Sequence, residues 1–164
     1  MKTLTLGVAL LVFCLTGATA IQADPGGRDK ADSTRIEAPA NPAAMTKEDW
    51  KAYSNKLEDV LASHHEGLKF SALRLIIQYG ESMEFSDFAV FDVMRIYRDH
   101  DNERARRMAV VTLGHMKNDW AIDFLQRSLK FEKTDCIKHT MQAVIVDYRV
   151  RQARERLGPA RVTS

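Results

Sequence analysis

The sequence predicts an all-α protein built from three repeated helix pairs. Three observations predict it. The 164 residues are 45% hydrophobic and 28% charged, the balance of a globular domain. Apolar residues recur at offsets 0, 4, 7, 8 and 11 in three places: Leu68, Ala72, Leu75, Ile76 and Tyr79; Ala105, Ala109, Thr112, Leu113 and Met116; Ile137, Met141, Val144, Ile145 and Tyr148. These offsets mark one face of an α-helix. No stretch alternates with the period of two that a half-buried strand requires, so no sheet is expected. A base directly follows the first member of each set, Lys69, Arg106 and Lys138, which spaces the copies by 37 and 32 residues. Recurrence at that period marks an array in which each helix pair covers the apolar stripe of the next.

Composition also excludes several classes. Apolar content is too high for a collagen-like, mucin-like or wholly disordered chain. Two cysteines are too few for a disulfide-stapled miniprotein. A net charge of +2 gives no pull toward nucleic acid, and none is expected as a partner.

The elements follow in order. Residues 1–20 read as a signal peptide: Lys2 supplies the positive start, Leu4 to Leu15 the apolar stretch, and Ala18-Thr19-Ala20 the small residues before a cleavage site. The apolar stretch is short of the ~20 residues that span a bilayer. The sequence therefore predicts an exported protein, periplasmic or secreted after cleavage near Ala20. Cys14 would leave with the signal and Cys136 would remain without an intrachain partner. Residues 21–45 hold Pro25, Pro39 and Pro42, no aromatic residue and no helical period, and read as a flexible linker. The repeat domain is expected over 46–157, and 158–164 as a disordered tail.

Thr46 followed by Asp49 reads as a capping box that opens the first helix, which carries Trp50, Tyr53, Leu57, Val60 and Leu61 and ends near His65. The second helix runs from Leu68 to Gly80. Ser86 to Arg98 is apolar nearly all round, which suits an outer helix with neighbours on both sides. Asp101 is the expected cap of the next helix, which carries the central copy of the repeat. Trp120, Ala121, Phe124, Leu125 and Leu129 mark the following helix, within 118–131. The last helix begins near Asp135 and stops at Gly158-Pro159.

The segment Asp101-Asn102-Glu103-Arg104-Ala105-Arg106-Arg107-Met108-Ala109-Val110-Val111-Thr112-Leu113-Gly114 resembles the second helix of a HEAT repeat, of the short bacterial kind called PBS-lyase HEAT-like. Its marks are an acid before the helix, an apolar–Arg pair, alanine three residues later, then Leu-Gly. The copies at Leu68-Lys69 and Ile137-Lys138 keep only part of it. The resemblance implies a short right-handed α-solenoid used as a binding scaffold. It also implies that the base of each copy reaches an aspartate, here Asp101 and Asp135. It carries over no catalytic residue.

The sequence shows no nucleophile elbow, P-loop or zinc-protease motif, and neither catalytic residues nor a cofactor are expected. The function expected is that of a non-catalytic protein–protein interaction scaffold. Candidate partner-binding residues are Lys69, Arg74, Arg104, Arg106, Arg107, Lys138 and Arg149. Arg149, Arg151, Arg154, Arg156 and Arg161 make the C-terminal helix and tail basic, a surface for anionic lipid, polymer or acidic protein. Exposed repeat edges also offer a route to a homo-oligomer. The alternative is a metal- or redox-dependent sensor or enzyme centred on Cys136 and His139, spaced i, i+3 on one helix face. Its weakness is that a metal needs three or four ligands.

Overall fold

The computed structural model describes residues 36–158. Helix α1, Lys47–Ala62, starts where the sequence places a cap: Thr46 Oγ1 accepts from the Asp49 backbone N–H at 3.2 Å, and the Asp49 carboxylate accepts from Thr46 N–H at 2.9 Å. It ends at Ala62, short of His65. Helix α2, Glu66–Tyr79, runs into a single 3-10 turn at Gly80–Ser82. Gly80 is needed there, because a Cβ would stand 2.8 Å from the backbone oxygen of His115.

Helix α3, Asp87–Asp99, is capped by Ser86, whose Oγ accepts from Ala89 N–H at 3.3 Å. The same serine donates from N and Oγ to the Glu58 carboxylate at 2.8 and 2.6 Å, tying the start of α3 to α1. Helix α4, Glu103–His115, is capped by Asn102, not Asp101: Asn102 Oδ1 accepts from the N–H groups of Arg104 and Ala105. Lys117 takes a positive φ of 50°, which makes the sharp turn into α5, Asp119–Leu129. Asn118 caps α5 through its side chain. Helix α6, Asp135–Leu157, ends at Gly158 in a left-handed φ of 65°. No strand occurs among the described residues, so the fold is all-α.

Helix α4 is the centre. It packs against α2, α3, α5 and α6, while α1 packs on α2 and α3, and α5 on α6. The recurrent apolar positions account for this. All five in α4 and the turn after it, Ala105, Ala109, Thr112, Leu113 and Met116, are buried. In α2 the flanking Leu68 and Tyr79 are only half-buried, and in α6 so are Val144 and Tyr148. The central helix has a neighbour on each side; α2 and α6 have one such neighbour each. Gly114 permits the α4–α6 approach, since a Cβ there would lie 2.5 Å from Val144 Cγ1.

Two expectations change. Within the linker expected over 21–45, the described part is not free of the core: Ile36 is buried in the core cluster, and Tyr53 donates its hydroxyl to the Glu37 backbone oxygen at 2.9 Å. Helix α3, read as apolar nearly all round, carries Asp92, Arg95, Arg98 and Asp99 as well, and its neighbours cover only part of it. Ala89, Val90, Val93, Met94 and Tyr97 are buried, whereas Phe88 and Phe91 face water. The signal segment 1–20, linker residues 21–35 and tail residues 159–164, including Arg161, lie outside the described residues. Among the described residues no helix is long and apolar enough to cross a membrane.

Candidate interaction surface

The three bases of the repeat do not play one part. Arg106 is turned inward: its Nη2 donates to Glu132 at 2.6 Å, its Nε to the Tyr97 backbone oxygen at 2.9 Å, and its guanidinium lies 5.5 Å from the Tyr97 ring centre. The side chain of Glu132 is 3% exposed. It also accepts from the Tyr97 hydroxyl at 2.9 Å and from the backbone N–H groups of Lys133 and Thr134. A buried carboxylate survives only when paired in this way. Burial pushes the Glu132 carboxyl up, but the Thr134 amide, the Tyr97 hydroxyl, Arg106 and the Lys133 amide together hold it below its ordinary value. Burial, then the hydrogen bond to Glu132, pushes the Tyr97 hydroxyl up to about 12. Arg106 is therefore an internal strut, and its acid is Glu132 rather than Asp101 or Asp135. Sequence reasoning missed Glu132 because it lies in the α5–α6 loop, outside every period.

Lys69 and Lys138 are half-buried, and Arg74, Arg104 and Arg149 are exposed. None of them enters the ion pairs found among the described residues. Arg104 and Arg107 share a face of α4 at i, i+3 spacing. Arg107 reaches across to α6, where its Nη1 donates to Cys136 Sγ at 3.2 Å. On α2, Arg74 borders a small cavity of about 100 Å3 with Ile36, Ala38, Ser71, Leu75 and Gln78. Helix α4 packs between α2 and α6, so Arg74 and the Arg104–Arg107 pair are carried by neighbouring helices.

Cys136 is exposed in the first turn of α6. His139 has its Nδ1 hydrogen-bonded to the Asp135 backbone oxygen at 2.8 Å. A guanidinium on the sulfur opposes a second cation there by like-charge repulsion. Among the described residues no three side chains of His, Cys, Asp or Glu gather as metal ligands. His65, His100 and His115 stand at helix ends. His100 Nδ1 accepts from Asn102 N–H at 2.9 Å, which leaves Nε2 to donate to Glu66 at 3.1 Å. His65 precedes α2 rather than closing α1. His115 ends α4 with its Nδ1 buried and unpartnered; burial and then Arg151 push its imidazole below the ordinary range, against the pull of Glu81 and Asp147.

The basic C-terminal helix is partly spent on the fold. Arg151 donates to the Gly114 backbone oxygen at 2.9 Å and pairs with Glu81 and Asp147. Tyr148 and Gln152 both donate to Asp119. Glu81, Asp119, Tyr148, Arg151 and Gln152 border an open hollow of about 500 Å3, lined by acids and bases in equal number. Arg149, Arg154 and Arg156 remain exposed. Comparison with family models, with curated proteins and with solved structures yields no match.

Proposed function

We propose that the chain is an exported, non-catalytic scaffold of three HEAT-like repeats, wound as a short right-handed solenoid, that binds a protein partner along α2, α4 and α6. One observation carries the reading. Of the arginines on α2 and α4, Arg106 is consumed inside the fold, while among the described residues Arg74 and Arg104 enter no ion pair and Arg107 donates to the Cys136 thiol. Unneutralised arginines grouped on one surface serve recognition better than stability, because each forms bidentate contacts with a carboxylate. The burial of corresponding positions in α2, α4 and α6 supports the repeat reading. The apolar segment before Ala18-Thr19-Ala20 supports export.

The test is capture from an envelope extract by the immobilised protein, beside the variant Arg74→Glu/Arg104→Glu/Arg107→Glu. A partner retained by the parent and lost by the variant, with equal helix content in both, supports the reading. Equal recovery by both refutes it.

A further inference from the structure

Helix α6 carries two apolar stripes on opposite faces. Ile137, Met141 and Ile145 are buried, with Val144 and Tyr148 half-buried beside them, where α6 packs on α4 and α5. Ala143, Val146, Val150, Ala153 and Leu157 follow one another at alternating steps of three and four residues, and all five are exposed. At 3.6 residues per turn this second stripe lies about half a turn round the helix from the first. Val146 is 60% exposed, Val150 43% and Leu157 85%. A rise of 1.5 Å per residue makes the stripe about 20 Å long. Single apolar residues in water need no explanation, but a continuous line of them does.

The charges around the stripe point to its occupant. At the same helical pitch Arg149 and Arg156 fall on one flank of it and Arg154 on the other. All three are exposed and enter no ion pair among the described residues. The acids nearby are otherwise engaged or placed. Asp147, on the flank of Arg154, is held by Arg151 at 3.0 Å. Glu81 and Asp119, in the hollow that Arg154 borders, are taken by Arg151, Tyr148 and Gln152. Glu155 falls on the opposite face, and Asp135 stands in the first turn, ahead of the stripe. We propose that the face of α6 from Ala143 to Leu157 binds the surface of a bilayer that carries anionic headgroups. Val146, Val150 and Leu157 enter the boundary between headgroups and acyl chains, to a depth of about 5–10 Å. The arginines lay their stems beside them while the guanidinium groups meet phosphate. The helix lies along the surface, and no described helix is long and apolar enough to cross it.

Two features favour a bilayer over another macromolecule. From Arg149 to Leu157 every side chain but Arg151 and Gln152 is exposed, so the last turns offer a line and not a groove to be filled. A fluid surface needs no complementary shape, whereas a protein interface is packed like a protein interior. Both flanks of the stripe are basic, so a second copy laid on this face would set arginine against arginine. This inference does not rest on the protein-partner reading, which turns on Arg74, Arg104 and Arg107.

Co-sedimentation of the full chain with phosphatidylcholine vesicles, with and without phosphatidylglycerol, tests it. Residues 1–20 are the same in every variant, so the comparison between variants reads α6. The parent should bind the anionic vesicles more tightly than the neutral ones and be released as salt rises. Val146→Gln/Val150→Gln/Leu157→Gln should weaken binding to the anionic vesicles at least tenfold. Arg149→Gln/Arg154→Gln/Arg156→Gln should do the same, since each arginine at an anionic surface strengthens binding by about fivefold. Arg95→Gln/Arg98→Gln/Arg127→Gln, an equal loss of charge on α3 and α5, should weaken it far less. All the substituted α6 side chains are exposed, so circular dichroism should stay that of the parent. If a triple variant on α6 loses helix content, Val146→Gln alone and Arg149→Gln alone decide, each weakening binding severalfold. A parent with no preference for anionic vesicles overturns the proposal. So does binding that the α6 variants leave unchanged, or that the α3 and α5 variant weakens equally. A stripe that instead drives self-association, or holds polyglutamate with no vesicle bound, overturns it as well.

Discussion

Glu132 joins three elements through one carboxylate. It receives the Tyr97 hydroxyl from α3, the Arg106 guanidinium from α4, and the amides that lead into α6. Removing one partner of such a group strands the other. Glu132→Ala should therefore cost about 3 kcal/mol. Tyr97→Phe, which removes one donor and leaves the carboxylate its others, should cost about 1 kcal/mol. The pH dependence follows from the lowered Glu132 value. Above the ordinary carboxylate range, near 4.5, the group is charged in both folded and unfolded chains and its full contribution is present. On acidification the unfolded chain takes up the proton first, so the contribution is lost as pH falls through the folded value. Thermal melts from pH 6 to pH 3 should therefore fall more steeply for the parent than for Glu132→Gln. Equal slopes would show that Glu132 is not held as described. At this scale the sequence makes Arg106 legible as a special base but not its acid. That partner depends on where a loop lands after folding, and no spacing along the chain records it.

At the scale of the helices, periodicity reads well where a helix has one covered face. The sets in α2, α4 and α6 name the buried positions, and Thr46 with Asp49 names a cap before any contact is known. Periodicity reads poorly in α3, where Phe88 and Phe91 stand among charged residues outside the buried stripe. A hydrophobic side chain shows that a position can be covered, not that a neighbour arrives to cover it, and Phe88 and Phe91 went uncovered. The Leu113-Gly114 pair gains a physical reason: the missing side chain is the space Val144 occupies. Gly114→Ala should thus reverse the usual gain of alanine in a helix and destabilise by about 1–3 kcal/mol, through overpacking. Denaturant unfolding checks this. Pairing the change with Val144→Ala should restore part of the loss, and no restoration would place the clash elsewhere.

For the molecule as a whole, the ends matter most. Residues Ile36 and Glu37, ahead of α1, cover part of α1 and α2. A single isoleucine among prolines and alanines has no period, so sequence reading assigns it to linker. Truncation before Ile36 should leave the melting temperature unchanged. Ile36→Ala should cost about 2 kcal/mol, the lower range for a buried aliphatic. A melt insensitive to Ile36→Ala would return the segment to the linker.

The row formed by α2, α4 and α6 is the surface proposed to meet the partner. Amide hydrogen exchange on the captured complex tests it most directly. Added protection is expected in 69–78, 103–111 and 136–149, with exchange in α1 and α5 unchanged on partner binding. Protection confined to α1, α3 and α5, with none along the arginine row, would contradict it.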